Sequence, residues 1–374
     1  MAERYDIIVR GARVIDASLA LDGPADIAVA GGRIARVGDL AGAQAARVID
    51  ARGLVASAGW IDLHVHCVEG PSVGGVDPDR DAGVATGVTT IVDTGSIGAD
   101  GLPLFLDVAR RARTRVLGYL NVSATRGSPI HGDWQAFDQA RTIAAAEAHR
   151  DLIVGIKVLA SQRHCGNLGI IPVQLAAQAS REARTGLMVH IGVAPPVIQD
   201  VLNLLGPGDV VTHCLKGFPG GLMSRRGFPL AEAWAAASRG VRFDVGHGSG
   251  SFCFTAARQA LAAAFPIHSI STDLHGLSVK GPVYTLGRTM AKFLHLGLAL
   301  PDVVRLVTVG PASIVGRADD FGTLRPGACA DVTVFRVTEG PIAYTDSHGV
   351  TEQGNVDLVP ACTVRAGAVV QEAW

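Results

Sequence analysis

The stretch Trp60-Ile61-Asp62-Leu63-His64-Val65-His66 alternates with a period of two, as a β-strand does. Read that way, Asp62, His64 and His66 share one face, and Ile61, Leu63 and Val65 the other. Two imidazoles one pleat apart, at the C-terminal end of an apolar strand, can grip one divalent metal, and imidazole nitrogen suits zinc and its neighbours. Two histidines on a solvated edge strand would read the same. The flanking apolar residues instead point the strand into a core, where buried polar groups need partners. The rest of the chain must therefore supply further ligands from the ends of other strands.

Seven more β-rich runs follow. They are Gly87–Asp93, Arg115–Val122, Leu152–Val158, Leu187–His190, Asp209–His213, Val241–Val245 and Ser269–Asp273. Ala-rich segments at helical spacing lie between them, at 102–113, 134–149, 172–185 and 253–264. Eight strand–helix units over roughly 250 residues predict a (β/α)₈ TIM-type barrel. A doubly wound open sheet is the alternative, but no Gly-rich phosphate fingerprint follows the first strand. Residues 1–57 read as short strands between glycine turns, and 322–374 return to β-rich text. The expected organisation is a small β-sandwich domain built from both termini, 1–57 plus 322–374, around a barrel of 58–321.

Composition sets the limits. The chain has 374 residues, 48% hydrophobic and 18% charged, which suits a well-buried enzyme-sized core. A formal net charge of -1 gives no long-range attraction for nucleic acid or an anionic membrane. The six cysteines are scattered without a C-x-x-C pair, so neither a disulfide framework nor a zinc finger is expected. The start lacks a basic segment followed by an apolar one, and no apolar run is long enough to span a bilayer. The expectation is a soluble cytoplasmic protein, with a homo-oligomer left open.

A barrel gathers the C-terminal ends of its strands at one mouth. The last polar residues there are His64 and His66 from strand one, Lys157 from strand four, His190 from strand five, His213 from strand six and Asp273 from strand eight. Each alone has an ordinary alternative: a solvent-reaching lysine, a satisfied core histidine, a helix-capping aspartate. Their joint delivery to one place argues for a site. Lys157 needs its own account, because an ammonium does not ligate metal. Burial among cations lowers its pKa. The neutral amine can then add carbon dioxide and become an anion that bridges two metals, or it can stay unmodified as a substrate clamp.

These residues, with Gly87-Val88-Thr89-Thr90 and the terminal Gly322-Thr323-Leu324 and Asp331, resemble the amidohydrolase superfamily over nearly the whole chain. The segments Met188–Gly192, Gly208–Cys214, Asp244–Gly248, Ser271–His275, Gly281–Val283 and Met290–Phe293 resemble its dihydroorotase-like amidohydrolase/deacetylase group. Two departures stand out. Ala58-Gly59 replaces the usual Pro-Gly, and Val158–His164 lacks the arginine expected directly after the lysine. The resemblance implies two Zn²⁺ ions, one held by His64, His66 and Asp273, the other by His190 and His213, with N-carboxylated Lys157 between them. It further implies attack of a metal-bridging hydroxide, with Asp273 as general base and acid.

The implied reaction is removal of a small acyl group, such as acetyl, from an N-acyl amino acid or O-acyl α-hydroxy acid. The partner is thus a small, carboxylate-bearing substrate. Arg126 after strand three and Arg163 with His164 after strand four are candidate carboxylate clamps. His247 and His275 are candidate hydrogen-bond partners of substrate or intermediate. Asp62 is expected to be satisfied within the core, and Cys67 and Cys214 to be structural. A cyclic amidase of the dihydroorotase or hydantoinase kind is the alternative enzyme, and a catalytically silent barrel is the alternative from another class.

Overall fold

The computed structural model describes residues 4–69, 74–123 and 134–373. Its fifteen strands are β1 (Arg4–Asp16), β2 (Leu21–Ala30), β3 (Arg33–Gly38), β4 (Gln44–Asp50), β5 (Val55–Ala58), β6 (Trp60–Val65), β7 (Val88–Thr94), β8 (Arg115–Asn121), β9 (Ile153–Ala160), β10 (Gly186–Ile191), β11 (Val210–Thr212), β12 (Arg242–Asp244), β13 (Val332–Thr345), β14 (Thr351–Arg365) and β15 (Ala368–Glu372). Strands β6 to β12 form one parallel sheet in chain order. β6 and β7 are buried along their whole length, as strands covered on both faces must be.

The eighth barrel position is filled by 269–274 without a regular ladder. Ser269 bridges to Asp244 and Leu274 to Val65, which closes the sheet into a barrel. The reason for the irregularity is local. Thr272 turns its N–H onto Asp62 Oδ1 at 3.0 Å and its hydroxyl onto Asp62 Oδ2 at 2.6 Å. Asp273 then adopts a left-handed backbone, φ 49°. Side-chain bonds thus replace ladder bonds at the point where a functional side chain must be aimed.

β6 departs from simple alternation. Asp62 pairs with Ile91 and Val65 with Asp93, so β6 uses three residues where β7 uses two. Such a bulge re-aims the side chains after it. Ile61 and Leu63 pack with Leu117, Tyr119 and Met188 in the cluster inside the barrel, while Trp60 and Val65 join the larger core beneath the helices. His64 and His66 face the mouth, and Asp62 is drawn to Thr272. The shared face read from the sequence therefore holds for the two histidines and not for Asp62.

The helices cover the barrel through small residues. Ile171–Glu182 starts with Pro172 in its first turn and buries Val173, Ala176, Ala177 and Ser180 at helical spacing. The terminal segments form one mixed sheet, β15-β14-β13-β5-β1-β2-β3, with β4 also on β1 and its own apolar cluster. Arg115 fastens this sheet to the barrel. It bonds Asp331, donates to Thr90 Oγ1 at 2.8 Å, and lies over the Phe321 ring. The β13–β14 hairpin reaches past the barrel rim, where Ser347 Oγ donates to Gly248 O at 2.8 Å. Among the described residues, no helix is long and apolar enough to cross a membrane.

Candidate metal centre

His64, His66, Lys157, His190, His213 and Asp273 all line one cavity of about 550 Å³ at the mouth of the barrel. The sheet register explains the convergence. Lys157 on β9 lies level with Asn121 on β8 and Met188 on β10, and His190 lies level with Thr212 on β11. The imidazoles crowd together: ring centroids are 5.5 Å apart for His64–His66, 5.1 Å for His64–His213 and 4.5 Å for His190–His213. His64, His213 and Asp273 offer ligand atoms within 4.8 Å of one another.

Neighbouring hydroxyls and carbonyls set the tautomers. Thr212 Oγ1 donates its single proton to Asp244 Oδ2 at 2.7 Å, so it must accept from His64 Nδ1, 2.8 Å away. Ser96 Oγ donates to Asp93 Oδ2 at 2.8 Å and accepts from His66 Nδ1 at 2.8 Å. Gly246 O, a pure acceptor, lies 2.7 Å from His213 Nδ1. In all three rings the Nδ1 proton is committed and Nε2 is left as the lone pair. A ring nitrogen held from behind in this way is the usual support of a metal-binding histidine.

The donors then face each other. His66 Nε2 stands 3.2 Å and His64 Nε2 3.4 Å from Asp273 Oδ1. Lone pairs opposed to a carboxylate repel unless positive charge lies between them. Three neutral imidazoles and a carboxylate are a donor set for a divalent cation of the zinc type, so the residues present fit the metal that the sequence implies. Burial holds His64, His190 and His213 in the ligating form. Aided by Lys157 and the neighbouring rings, it keeps His64 and His190 well below the usual histidine range. It brings His213 to about 4 against the pull of Asp273.

Lys157 is fully buried, with Nζ 3.3 Å from His64 Nε2 and 3.3 Å from Thr94 O. Burial draws its amine down to about 8, although Asp273, Asp244 and Asp93 oppose the shift. Gly95 makes room for it: a Cβ there would lie 2.8 Å from Lys157 Cβ and Cγ.

The other candidates separate. His275 lines the cavity, and its Nδ1 accepts from the Leu277 N–H at 3.2 Å, so Nε2 carries the proton and presents a donor. Arg163 lines the cavity from an exposed position on the short helix Gln162–Cys165. Arg126 lies outside the described residues. His247 is a correction. It is fully buried, stacked on Phe252, with Nε2 2.7 Å from Lys292 Nζ and Nδ1 2.9 Å from Gly248 O. Both nitrogens are taken inside the fold, and His247 is not among the residues lining the cavity. Sequence reasoning missed Thr212, Ser96, Asp93 and Asp244, which hold the histidines, and Lys216, which lines the cavity. Asp93 and Asp244 are strand-end carboxylates, and that signal was available.

A protein-family model described as "Amidohydrolase family" matches residues 254–363. A protein of Enterococcus faecalis named "Deacetylase" is 35% identical over 371 residues, 98% of this chain and 99% of that protein. The chain belongs to the amidohydrolase family. A deacetylase of Agrobacterium fabrum is 38% identical over 87% of this amidohydrolase and 81% of its own length. Among solved structures, one titled an adenine deaminase aligns with TM-score 0.91 at 34% identity, covering 98% of this chain and 100% of that one. One titled a dihydroorotase aligns with TM-score 0.87 at 32% identity, covering 98% and 99%. This amidohydrolase is a metal-dependent hydrolase.

Proposed function

We propose that this amidohydrolase removes a small acyl group, acetyl above all, from an N-acyl amino acid or an O-acyl α-hydroxy acid, using two Zn²⁺ ions. The observation that carries the metal part is the set of Nε2 lone pairs aimed at Asp273. His64, His66 and Asp273 would hold one ion and His190 with His213 the other. Lys157 would bridge them after its neutral amine adds carbon dioxide, a step that releases one proton and leaves a carbamate. The three deacetylase-named relatives, 35–38% identical, support the acyl part. Residues 1–57 with 322–374 would form one unit and 58–321 the hydrolase barrel.

Bound divalent cations supply Lewis acidity, which lowers the pKa of water and polarises a carbonyl. The protein's own groups do the rest. The carboxylate of Asp273 takes the proton of the attacking water and returns it to the leaving nitrogen or oxygen. His275, protonated at Nε2, donates from the cavity wall to the substrate. Gly95, Thr94 and the buried strand ends exclude bulk solvent around Lys157.

The structure titled a dihydroorotase favours a second reading, a cyclic amidase on the same ligands. Rates on N-acetyl amino acids, O-acetyl hydroxy acids and cyclic ureides, measured side by side with metal-loaded protein, separate the two. Lys157→Ala is expected to lose metal and activity together. Two zinc ions retained per chain in that variant would contradict the bridge.

A further inference from the structure

The cavity carries positive charge that the ligand set does not use. Among its described lining residues, Asp273 is the one carboxylate, while Arg163 and Lys216 are cations outside the proposed ligand set. Lys157 faces the histidines. Arg163 is exposed, and its guanidinium has no hydrogen-bond or ion-pair partner among the described residues. Lys216 is different. It is half-buried in the turn after β11, where its N–H bonds His213 O at 3.0 Å. Its Nζ donates to Gly250 O at 2.8 Å. An ammonium has three donors, so two remain for a ligand. The amine lines the same cavity as His190 and His213. Val193 and Leu277, 45% and 67% exposed, give that cavity an apolar rim.

We infer that Lys216 is the residue that selects the substrate, binding the α-carboxylate of an acylated amino or hydroxy acid whose apolar side chain rests toward Val193 and Leu277. The inference rests on the deacylase reading and adds the anchor to it. In such a substrate the carboxylate carbon is three bonds from the scissile carbonyl carbon. Its anchor must stand close to the ligands, and a lysine three residues after His213 does. A half-buried, tethered ammonium binds a carboxylate more strongly than an exposed side chain held by nothing. Arg163 suits the approach of the anion rather than its anchoring.

The test compares wild type, Lys216→Met and Lys216→Arg, all metal-loaded. The probes are N-acetylleucine and O-acetyl-lactate, each beside its primary amide. Wild type is expected to prefer the acids. Lys216→Met should raise KM for the acids about 10- to 100-fold, the range of a hydrogen bond to a charged group, with kcat and the rates on the amides little changed. Lys216→Arg should restore the preference. Calorimetric binding of the same acids is measured in parallel. If no acetyl compound is hydrolysed yet the acids bind wild type and not Lys216→Met, the deacylase reading falls and the anchor stands. If Lys216→Met keeps the preference for acids, or the acids fail to bind wild type, the anchor is overturned.

Discussion

Gly248 and Asp273 are packed with no room for a methyl group between them: a Cβ on Gly248 would overlap Asp273 Oδ2. Gly248 also has φ +54° and gives its carbonyl to Ser347 of the β13–β14 hairpin. The terminal hairpin, the loop after β12 and the proposed general base are thus held against one another.

Gly248→Ala should therefore act twice. The left-handed backbone costs about 1 kcal/mol for any residue with a Cβ, and the methyl pushes Asp273 aside. A misplacement on the order of 1 Å at a reacting group lowers kcat by about 100-fold. Gly208→Ala is the control, since Gly208 has φ +84° with open space around it. Both variants should lose similar stability in thermal melts, and Gly248→Ala alone should lose turnover. Equal activity in the two would remove Gly248 from any part in aiming Asp273.

The chain Asp244–Thr212–His64 makes a second prediction. Thr212→Val keeps the shape and removes the hydroxyl that accepts from His64 Nδ1. The ring loses the partner that fixes its tautomer, and Asp244 keeps Ser269 and Ser271 as its hydroxyl donors among the described residues. Metal affinity, measured by chelator competition, should fall about 10- to 100-fold. Thr212→Ser should hold metal nearly as wild type does. Unaltered affinity in the valine variant would mean that packing alone orients His64.

Much of this site can be read in the sequence because a barrel turns scattered strand ends into neighbours. His64, His190, His213, Lys157 and Asp273 needed only the positions of five strands. What alternation hides is the bulge in β6 between Asp62 and Val65, because an extra residue leaves no compositional trace and re-aims the side chains that follow Asp62. The eighth strand was legible as text and not as a ladder, since side-chain bonds from Asp62 take the place of backbone pairing. His247 shows the opposite limit. It follows a strand as a functional histidine would, yet its partner Lys292 lies 45 residues away on the helix Leu286–His295. Lys216 had no strand-end signal, because it sits in a turn beyond His213.

Lys292 allows a prediction about pH. It is fully buried, and its Nζ lies 2.7 Å from His247 Nε2, 2.8 Å from Pro282 O and 2.7 Å from Thr345 O. Those contacts join the barrel to the terminal hairpin. Burial, with help from the charge of Arg288, draws the amine from 10.5 down to about 7. Between those values the unfolded chain binds a proton that the folded chain does not, so folding becomes more favourable as pH rises. Below about 7 both states are protonated and the contribution is constant. Lys292→Met removes this titration. The stability of wild type relative to the variant, from urea midpoints at pH 6, 8 and 10, should therefore increase across the upper interval. A flat profile across that interval would show that the three acceptors hold the amine's pKa at or above its unfolded value and outweigh burial.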